Sequence, residues 1–111
     1  CENREVETML MNVLERFGTA PVQPLIDMMA SDHWQVREQA ADILGQIGDP
    51  AARLVLIAAL NDTVWQVRFA AVTALSHIGG VEAKAALLAL PDDENDRVRE
   101  LVQKVLRRMK R

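Results

Sequence analysis

The side chains best suited to acid–base, nucleophilic or metal chemistry are few and scattered in this sequence. His33 and His77 are its two histidines, and Cys1 is its single cysteine, so no internal disulfide forms within it. No serine–histidine or cysteine–histidine arrangement is recognisable, and no glycine loop that could cradle a phosphate is present. The histidines lie far apart, with no carboxylate at metal-ligand spacing. We expect neither a catalytic centre nor a metal or other cofactor.

An acidic run, Asp92-Asp93-Glu94-Asn95-Asp96, is the other candidate for ion binding. Carboxylate oxygens are calcium ligands, but the glycine that an EF-hand loop requires is missing. Negative charge is also favourable just before a helix N-terminus. We therefore expect a solvated loop that leads into a helix.

Large aromatic side chains are more informative, because three of the four occupy related positions in a repeated sequence. Trp34 and Trp65 begin the same four-letter sequence in two places, and Phe69 follows Trp65 by four, the spacing of neighbours on a helix surface. Phe17 fits a core position. Exposed aromatic clusters mark interaction sites. The alternative is that each tryptophan packs over the neighbouring repeat, and the sequence leaves both interpretations open.

An internal repeat must position these side chains. Trp34-Gln35-Val36-Arg37 recurs as Trp65-Gln66-Val67-Arg68, and Val98-Arg99 follows Val67-Arg68 at the same offset. An earlier copy begins near Val6. Shorter apolar segments, 20–30, 50–61 and 81–90, separate the copies. The pattern predicts an all-α solenoid of about seven helices in 3.5 repeats (2–30, 31–61, 62–91 and a final capping helix 95–111), forming one domain over 1–111.

Short-range signals support the helices. Val36, Ala40, Leu44 and Ile47 form the stripe of an amphipathic helix. Asp49-Pro50 is typical of a helix start, and residues 31–32 and 62–63 also offer capping side chains. Glycines at 18, 48 and 79 stand where helix ends favour a left-handed residue. No segment alternates with the period of a strand, so we expect no sheet.

The pattern from Asp32-His33-Trp34-Gln35-Val36-Arg37 to Ile47-Gly48-Asp49, repeated over 62–79, resembles the short HEAT-like repeat of the phycobilisome-lyase type. The resemblance covers nearly the whole chain. It implies a superhelical stack of antiparallel helix pairs, in which the helices starting near Trp34 and Trp65 line a concave groove. Metal-binding HEAT-like enzymes use His-Glu pairs, and this sequence contains no His-Glu dipeptide.

The repeated arginine has a structural role in this resemblance. Arg37, Arg68 and Arg99 each follow the stripe valine and are expected to pair with loop aspartates, here Asp32 and Asp62. A planar guanidinium suits bidentate pairing with a carboxylate between layers. The alternative is a ladder of cations that binds an anion. In the first copy Glu7 stands at the arginine position and would end the ladder.

The remaining residues of the two central helices form the candidate groove. The helical wheel puts them off the apolar stripe. We expect a partner to bind along Trp34, Glu38, Asp42, Trp65, Phe69, Thr73 and His77.

These observations favour a non-catalytic scaffold that binds a protein partner. One alternative is an accessory role in bilin attachment, which rests on the repeat resemblance alone. Another is electrostatic nucleic-acid binding through the C-terminal helix, where seven basic residues follow residue 96. The net charge of −3 gives no whole-protein argument for nucleic acid. No apolar run is long enough for a membrane span, and we expect a cytoplasmic protein whose oligomeric state the sequence leaves open.

Overall fold

Six α-helices make up most of the described chain. The computed structural model describes residues 22–109. In chain order the helices are α1 Val22–Met28, α2 Trp34–Ile47, α3 Arg53–Ala59, α4 Trp65–Ile78, α5 Val81–Ala89 and α6 Asp96–Met109, with a 3₁₀ turn at Pro50–Ala52 before α3. No strand occurs between residues 22 and 109, and the predicted all-α class is confirmed. The seventh predicted helix, before residue 20, lies outside the described residues.

The long helices repeat with constant spacing. α2, α4 and α6 each contain 14 residues and begin at Trp34, Trp65 and Asp96. Both steps equal the offset of the sequence repeat, and the α-solenoid architecture is confirmed. The bounds of the repeats and the extent of the single domain over 1–111 stay predictions, because 1–21 and 110–111 lie outside the described part.

The helices form two layers around one core. α2, α4 and α6 pack side by side, while α1, α3 and α5 pack against them as α1 with α2, α3 with α4 and α5 with α6. The largest fully buried side chains are Leu25, Leu44, Leu56, Val67, Val72, Leu75, Leu87 and Val98. Each contributes about 2 kcal/mol when it leaves water. The buried set in the described range contains no polar or charged residue.

Small residues allow α2 and α4 to approach closely. A Cβ atom built on Gly45 would lie 2.6 Å from the Cα atom of Ala74 and 2.7 Å from its Cβ atom. Ala41 and Ala70 are also buried on these two helices. Because protein interiors are close-packed, this contact fixes the spacing of the two central long helices.

The turn after α2 follows the predicted chemistry. Gly48 has φ 75° and ψ 17°, a left-handed conformation that suits glycine, and its N–H donates to the Leu44 carbonyl at 3.0 Å. The Asp49 carboxylate accepts a hydrogen bond from the Ala51 N–H at 2.8 Å, with Pro50 at the first position of the 3₁₀ turn. Both predicted signals are confirmed.

The predicted N-terminal caps of the long helices α2 and α4 are wrong. The N-cap residues of α2 and α4 are His33 and Val64, and neither side chain makes a capping hydrogen bond. Ser31 and Asp62 instead accept hydrogen bonds from the N–H groups of these N-cap residues, at 3.1 and 2.9 Å. The side-chain oxygens of Ser31 and Asp62 therefore bind N–H groups of the loop rather than those of the first helical turn.

α6 differs from α2 and α4 on the side that would face a further repeat. Gln103 is exposed, whereas the residues at the equivalent positions of α4 and α2, Val72 and Ala41, are fully buried. Arg107 is exposed at the position equivalent to the buried Gly45. α6 therefore presents polar side chains on the side where α2 buries small residues. None of the helices between residues 22 and 109 has both the length and the apolar character that crossing a bilayer requires.

Candidate binding surface and arginine–aspartate ladder

Two aromatic rings of α4 contact each other at the surface. Trp65 and Phe69 lie edge to face, with ring centroids 6.4 Å apart and an interplanar angle of 87°. Phe69 is 36% exposed, while Trp34 and Trp65 are half-buried and pack against the core. The tryptophans thus contribute to packing and also present part of each ring to solvent.

Arg97 of α6 adds a cation to this cluster. Its guanidinium carbon lies 5.7 Å from the centroid of the Trp65 ring. A cation over an indole face is attracted by the ring quadrupole, an interaction worth about 0.5–1 kcal/mol at exposed sites. Sequence reasoning missed this contact, because it joins residues of adjacent repeats and follows no short-range spacing rule.

The seven predicted groove residues lie on two neighbouring long helices. We call this set the long-helix face: Trp34, Glu38 and Asp42 of α2, and Trp65, Phe69, Thr73 and His77 of α4. Successive members on each helix are four positions apart, so they follow one stripe. The Thr73 hydroxyl donates to the Phe69 carbonyl at 3.1 Å, whereas His77 is exposed in the last turn. The concave shape expected for this face stays a prediction.

Two carboxylates give the α2 part of the face its electrostatic character. Burial of Glu38, together with the charge of Asp42, raises the pKa of Glu38 above its ordinary value. The surrounding protein also raises the pKa of Asp42, although much of that side chain is open to solvent. Like charges four positions apart on a helix repel each other. This arrangement opposes ionisation, and a cation placed nearby would relieve it.

The repeated arginines bind the loops at the N-terminal ends of the long helices. Arg37 donates to both carboxylate oxygens of Asp62 at 2.8 and 3.0 Å, and to the carbonyl of Ser31 at 2.8 Å. This guanidinium therefore holds its own entry loop and the loop of the next repeat. The bidentate geometry is the strong form of this ion pair.

Arg68 repeats the arrangement one step along the stack. It donates to both carboxylate oxygens of Asp93 at 2.7 and 2.9 Å, and to the carbonyl of Asp62 at 2.8 Å. Arg99 donates to the Asp93 carbonyl at 2.8 Å and pairs with Asp96 of its own helix. We call this connected series the arginine–aspartate ladder: Ser31, Arg37, Asp62, Arg68, Asp93, Arg99 and Asp96.

The ladder corrects two expectations from the sequence. Asp32 is not the arginine's acceptor, because Ser31 is the residue one repeat before Asp62 and its carbonyl occupies that place. The hydrogen bond with Asp62 raises the pKa of Arg37, and the charge of Asp32 adds to this effect. Asp93 does not lie in a solvated loop, since it is half-buried and ion-paired. The position of Asp93, one repeat after Asp62, could have identified it as the aspartate that pairs with Arg68. The position of Glu7 lies outside the described residues.

Ion pairing sets the protonation of the ladder aspartates. Burial alone would raise the pKa of Asp62, but hydrogen bonds from the Arg37 guanidinium and the Val64 N–H lower it below its ordinary value. The pKa of Asp93 is lowered in the same way, because the hydrogen bonds from Arg68 and the Asn95 N–H outweigh burial. Both aspartates are therefore held in the charged form at neutral pH.

The comparison with protein families agrees with this geometry. The family model described as HEAT repeats matches residues 22–107. The chain belongs to the HEAT-repeat family. None of the curated proteins is a significant match to it. Its repeat period, the step from Trp34 to Trp65, is shorter than the roughly 40–47 residues of the longer HEAT class, so these HEAT repeats are compact examples.

The short-helix layer of the HEAT repeats carries exposed apolar residues that sequence reasoning missed. Leu54 of α3 is 77% exposed, and Val81 and Leu88 of α5 are 82% and 57% exposed. The signal was the composition of α5, Val-Glu-Ala-Lys-Ala-Ala-Leu-Leu-Ala, whose apolar residues occur on every side of the helix. These residues lie on the short helices, apart from the long-helix face.

Metal-binding and pocket features of the described HEAT repeats are limited. Between residues 22 and 109, no three His, Cys, Asp or Glu residues are grouped to hold a metal ion. A cleft of about 570 Å³ lies between the loops 60–63 and 90–94. Arg68 lines it and is bound to Asp93. This cleft borders the ladder rather than the long-helix face.

Proposed function

We propose that this HEAT-repeat domain is a non-catalytic scaffold that binds a protein partner along the long-helix face. The observation that carries the proposal is the aromatic cluster of Trp65 and Phe69, which keeps part of its surface exposed on a helix whose other side is fully buried. Tryptophan is enriched at binding hot spots, where its burial against a partner supplies much of the affinity.

Half-burial of the tryptophans suits this role. A ring that is packed on one side is already ordered, so binding costs little further side-chain entropy. Phe69 is held by its edge-to-face contact with Trp65. The cluster is therefore preorganised for a partner that covers its free surface.

Site-specific photo-crosslinking in the source cells tests the proposal. A photoreactive phenylalanine at position 69 is expected to capture a protein that mass spectrometry then identifies. The matched position is Leu88, which is also exposed but lies in the short-helix layer. Binding of the purified partner should then fall at least tenfold for Phe69→Ala and little for Leu88→Ala. Capture at position 88 without capture at 69 contradicts the proposal and places the interface on the other layer.

The basic C-terminal helix defines the nucleic-acid alternative. Arg97 lies over Trp65, and Arg99 is bound to Asp93 and Asp96, so Lys104, Arg107 and Arg108 are the exposed cations outside these contacts in the described part of this helix. A salt series with a short DNA duplex decides, because binding to phosphates weakens steeply with ionic strength. The scaffold proposal expects weak binding of the duplex already at physiological salt.

The bilin alternative rests on the resemblance to repeats of the phycobilisome-lyase type. An absorbance titration with a linear tetrapyrrole tests it, and a spectral change at micromolar protein would favour it over the scaffold. The cytoplasmic location stays a prediction.

A further inference from the structure

The exposed side of the long helices changes charge from one repeat to the next. On α2 it carries Glu38 and Asp42, on α4 the equivalent residues are the uncharged Phe69 and Thr73, and on α6 they are Glu100 and Lys104. α6 adds two further exposed cations, Arg97 and Arg108. α6 also carries the exposed carboxylate Asp96, which occupies the position equivalent to Trp65 and pairs with Arg99. The surface is thus acidic at α2, neutral and aromatic at α4, and mixed at α6, where the cations Lys104 and Arg108 occupy the C-terminal half of the helix.

The acidic surface of α2 has no free cation on its own helix to neutralise it. Arg37 is the one basic residue of α2, and its side-chain donors are engaged by Asp62 and by the Ser31 carbonyl. On α4, Arg68 is bound to Asp93 in the same way. The half-buried Glu38 and the exposed Asp42 therefore have no ion-pair partner among the basic residues of α2 and α4.

The neighbouring repeat shows how a cation fits this surface. Arg97 of α6 lies over the Trp65 ring. The residue one repeat before Arg97, and so equivalent to it for Trp34, is the neutral Gln66. Trp34 therefore has a neutral residue at the position from which Arg97 reaches Trp65. Glu38 lies one helical turn after Trp34. An aromatic face next to carboxylates is the environment that attracts a lysine or arginine side chain.

We infer that the partner crosses the long helices as a protein segment with basic side chains over α2, an apolar centre over Phe69 and acidic side chains over Lys104 and Arg108 of α6. This inference rests on the proposed function and specifies the partner's chemistry. Packed helix axes lie roughly 8–10 Å apart, so α2 and α6 are separated by about 18 Å, which an extended chain covers in about six residues. The basic and acidic groups of the segment should be about that far apart.

Two synthetic peptides of identical composition test the order of charges. One has a lysine block, a central run of apolar and neutral residues, and a glutamate block; the other has the same residues with lysines and glutamates alternating. Each is titrated into the full 111-residue chain, with amide chemical shifts recorded by NMR. The block peptide should bind at least tenfold more tightly and should shift the amides of Phe69 and Thr73.

Orientation is tested with a spin label on the lysine end of the block peptide. The spin label should broaden the amide signals of Glu38 and Asp42 more than the amide signals of α6. The double variant Glu38→Gln/Asp42→Asn should lose about tenfold in affinity. The matched control, Asp92→Asn/Glu94→Gln, makes the same charge change at loop residues away from the face and should bind as the unmodified chain does.

The outcomes separate this inference from the proposed function. Equal affinities for both peptides with shifts at Phe69 overturn the charge order while leaving the scaffold proposal standing. Broadening of α6 by the lysine end also overturns it. No shift at Phe69 or Thr73 with either peptide counts against both. Displacement of the block peptide by an equimolar short single-stranded DNA overturns the inference in favour of a nucleic acid.

Discussion

Arg37 and Asp62, on different repeats, are joined by two parallel hydrogen bonds of 2.8 and 3.0 Å. The pair is largely shielded from solvent, with side chains 16% and 12% exposed. Removing one partner leaves the other charge partly buried without compensation. The ladder therefore links adjacent repeats through bonds that are costly to break singly.

The first prediction concerns this pair. Asp62→Ala should lower the free energy of unfolding by about 2 kcal/mol, because a charge-assisted bidentate pair and a loop hydrogen bond are lost. Urea unfolding followed by circular dichroism measures it, and a double-mutant cycle with Arg37→Ala isolates the coupling. Asp32→Ala is the control and should change stability by less than about 0.5 kcal/mol. An equal cost at Asp32 would contradict the ladder.

Acid should weaken the same contacts. The folded-state pKa values of Asp62 and Asp93 are lowered, so between these values and the unfolded value of about 3.9 the unfolded chain binds more protons. Their contribution to stability is present above that unfolded value and is lost as pH falls through the folded values. Urea midpoints measured from neutral pH down through the acidic range report the loss. In the double variant Asp62→Asn/Asp93→Asn, the urea midpoint should fall less steeply as pH is lowered through the acidic range. An unchanged dependence of the midpoint on pH would contradict the prediction.

A third prediction tests the close approach of α2 and α4. Gly45→Ala would normally favour a helix, but its Cβ atom would overlap the backbone of Ala74. We expect a loss of about 1–3 kcal/mol from overpacking. Gln46→Ala, at the next, exposed position, should be neutral or slightly stabilising. If Gly45→Ala also proved stabilising, the two helices would have to be more widely spaced.

Adjacent leucines of α5 provide a matched test of the short-helix layer. Leu87 is 1% exposed, whereas Leu88 is 57% exposed. Leu87→Ala should cost about 3 kcal/mol through a cavity in the core, and Leu88→Ala less than about 1 kcal/mol. Thermal unfolding distinguishes them. Similar losses at the two positions would mean that a second molecule covers Leu88.

A fifth prediction separates stability from binding at Glu38. Its raised pKa means that ionisation is disfavoured in the folded state, so its charge lowers stability at neutral pH. Glu38→Gln should raise the free energy of unfolding by about 0.5 kcal/mol near neutral pH, with the gain disappearing below the unfolded pKa of about 4.3. The same variant should bind the block peptide more weakly. A loss of stability at neutral pH would show that the carboxylate is structural.

The parts of the fold that could be predicted are those set by periodic sequence features. The constant repeat offset and the apolar stripe of α2 predicted the helices, because each repeat uses the same residues to bury the same face. Gly48 and Asp49 marked a turn through local backbone chemistry. These features depend on residues within a few positions of one another, or on the same positions recurring along the chain.

The parts that could not be predicted depend on contacts between repeats. Arg97 reaches Trp65 only after α6 packs beside α4. Asp93 was predicted to lie in a solvated loop, because its partner, Arg68, lies on the preceding long helix and only the repeat offset from Asp62 indicates the pairing. The exposed Val81 lies in the apolar segment 81–90, and although the composition of that segment is apolar on every side, it does not show which side lacks a neighbour.

The position of the ladder determines how the stack can deform. Its bonds join successive loops at the N-terminal ends of α2, α4 and α6, where Arg37–Asp62 and Arg68–Asp93 hold adjacent repeats at fixed separation. That edge resists extension. The opposite ends of the long helices are linked more weakly, because there Arg53 of α3 donates to the Gly79 carbonyl at 3.1 Å and pairs only with the exposed Glu82 of α5. We therefore expect bending to separate those ends before it stretches the ladder. Curvature of the long-helix face would then change by rotation about the ladder, without stretching it.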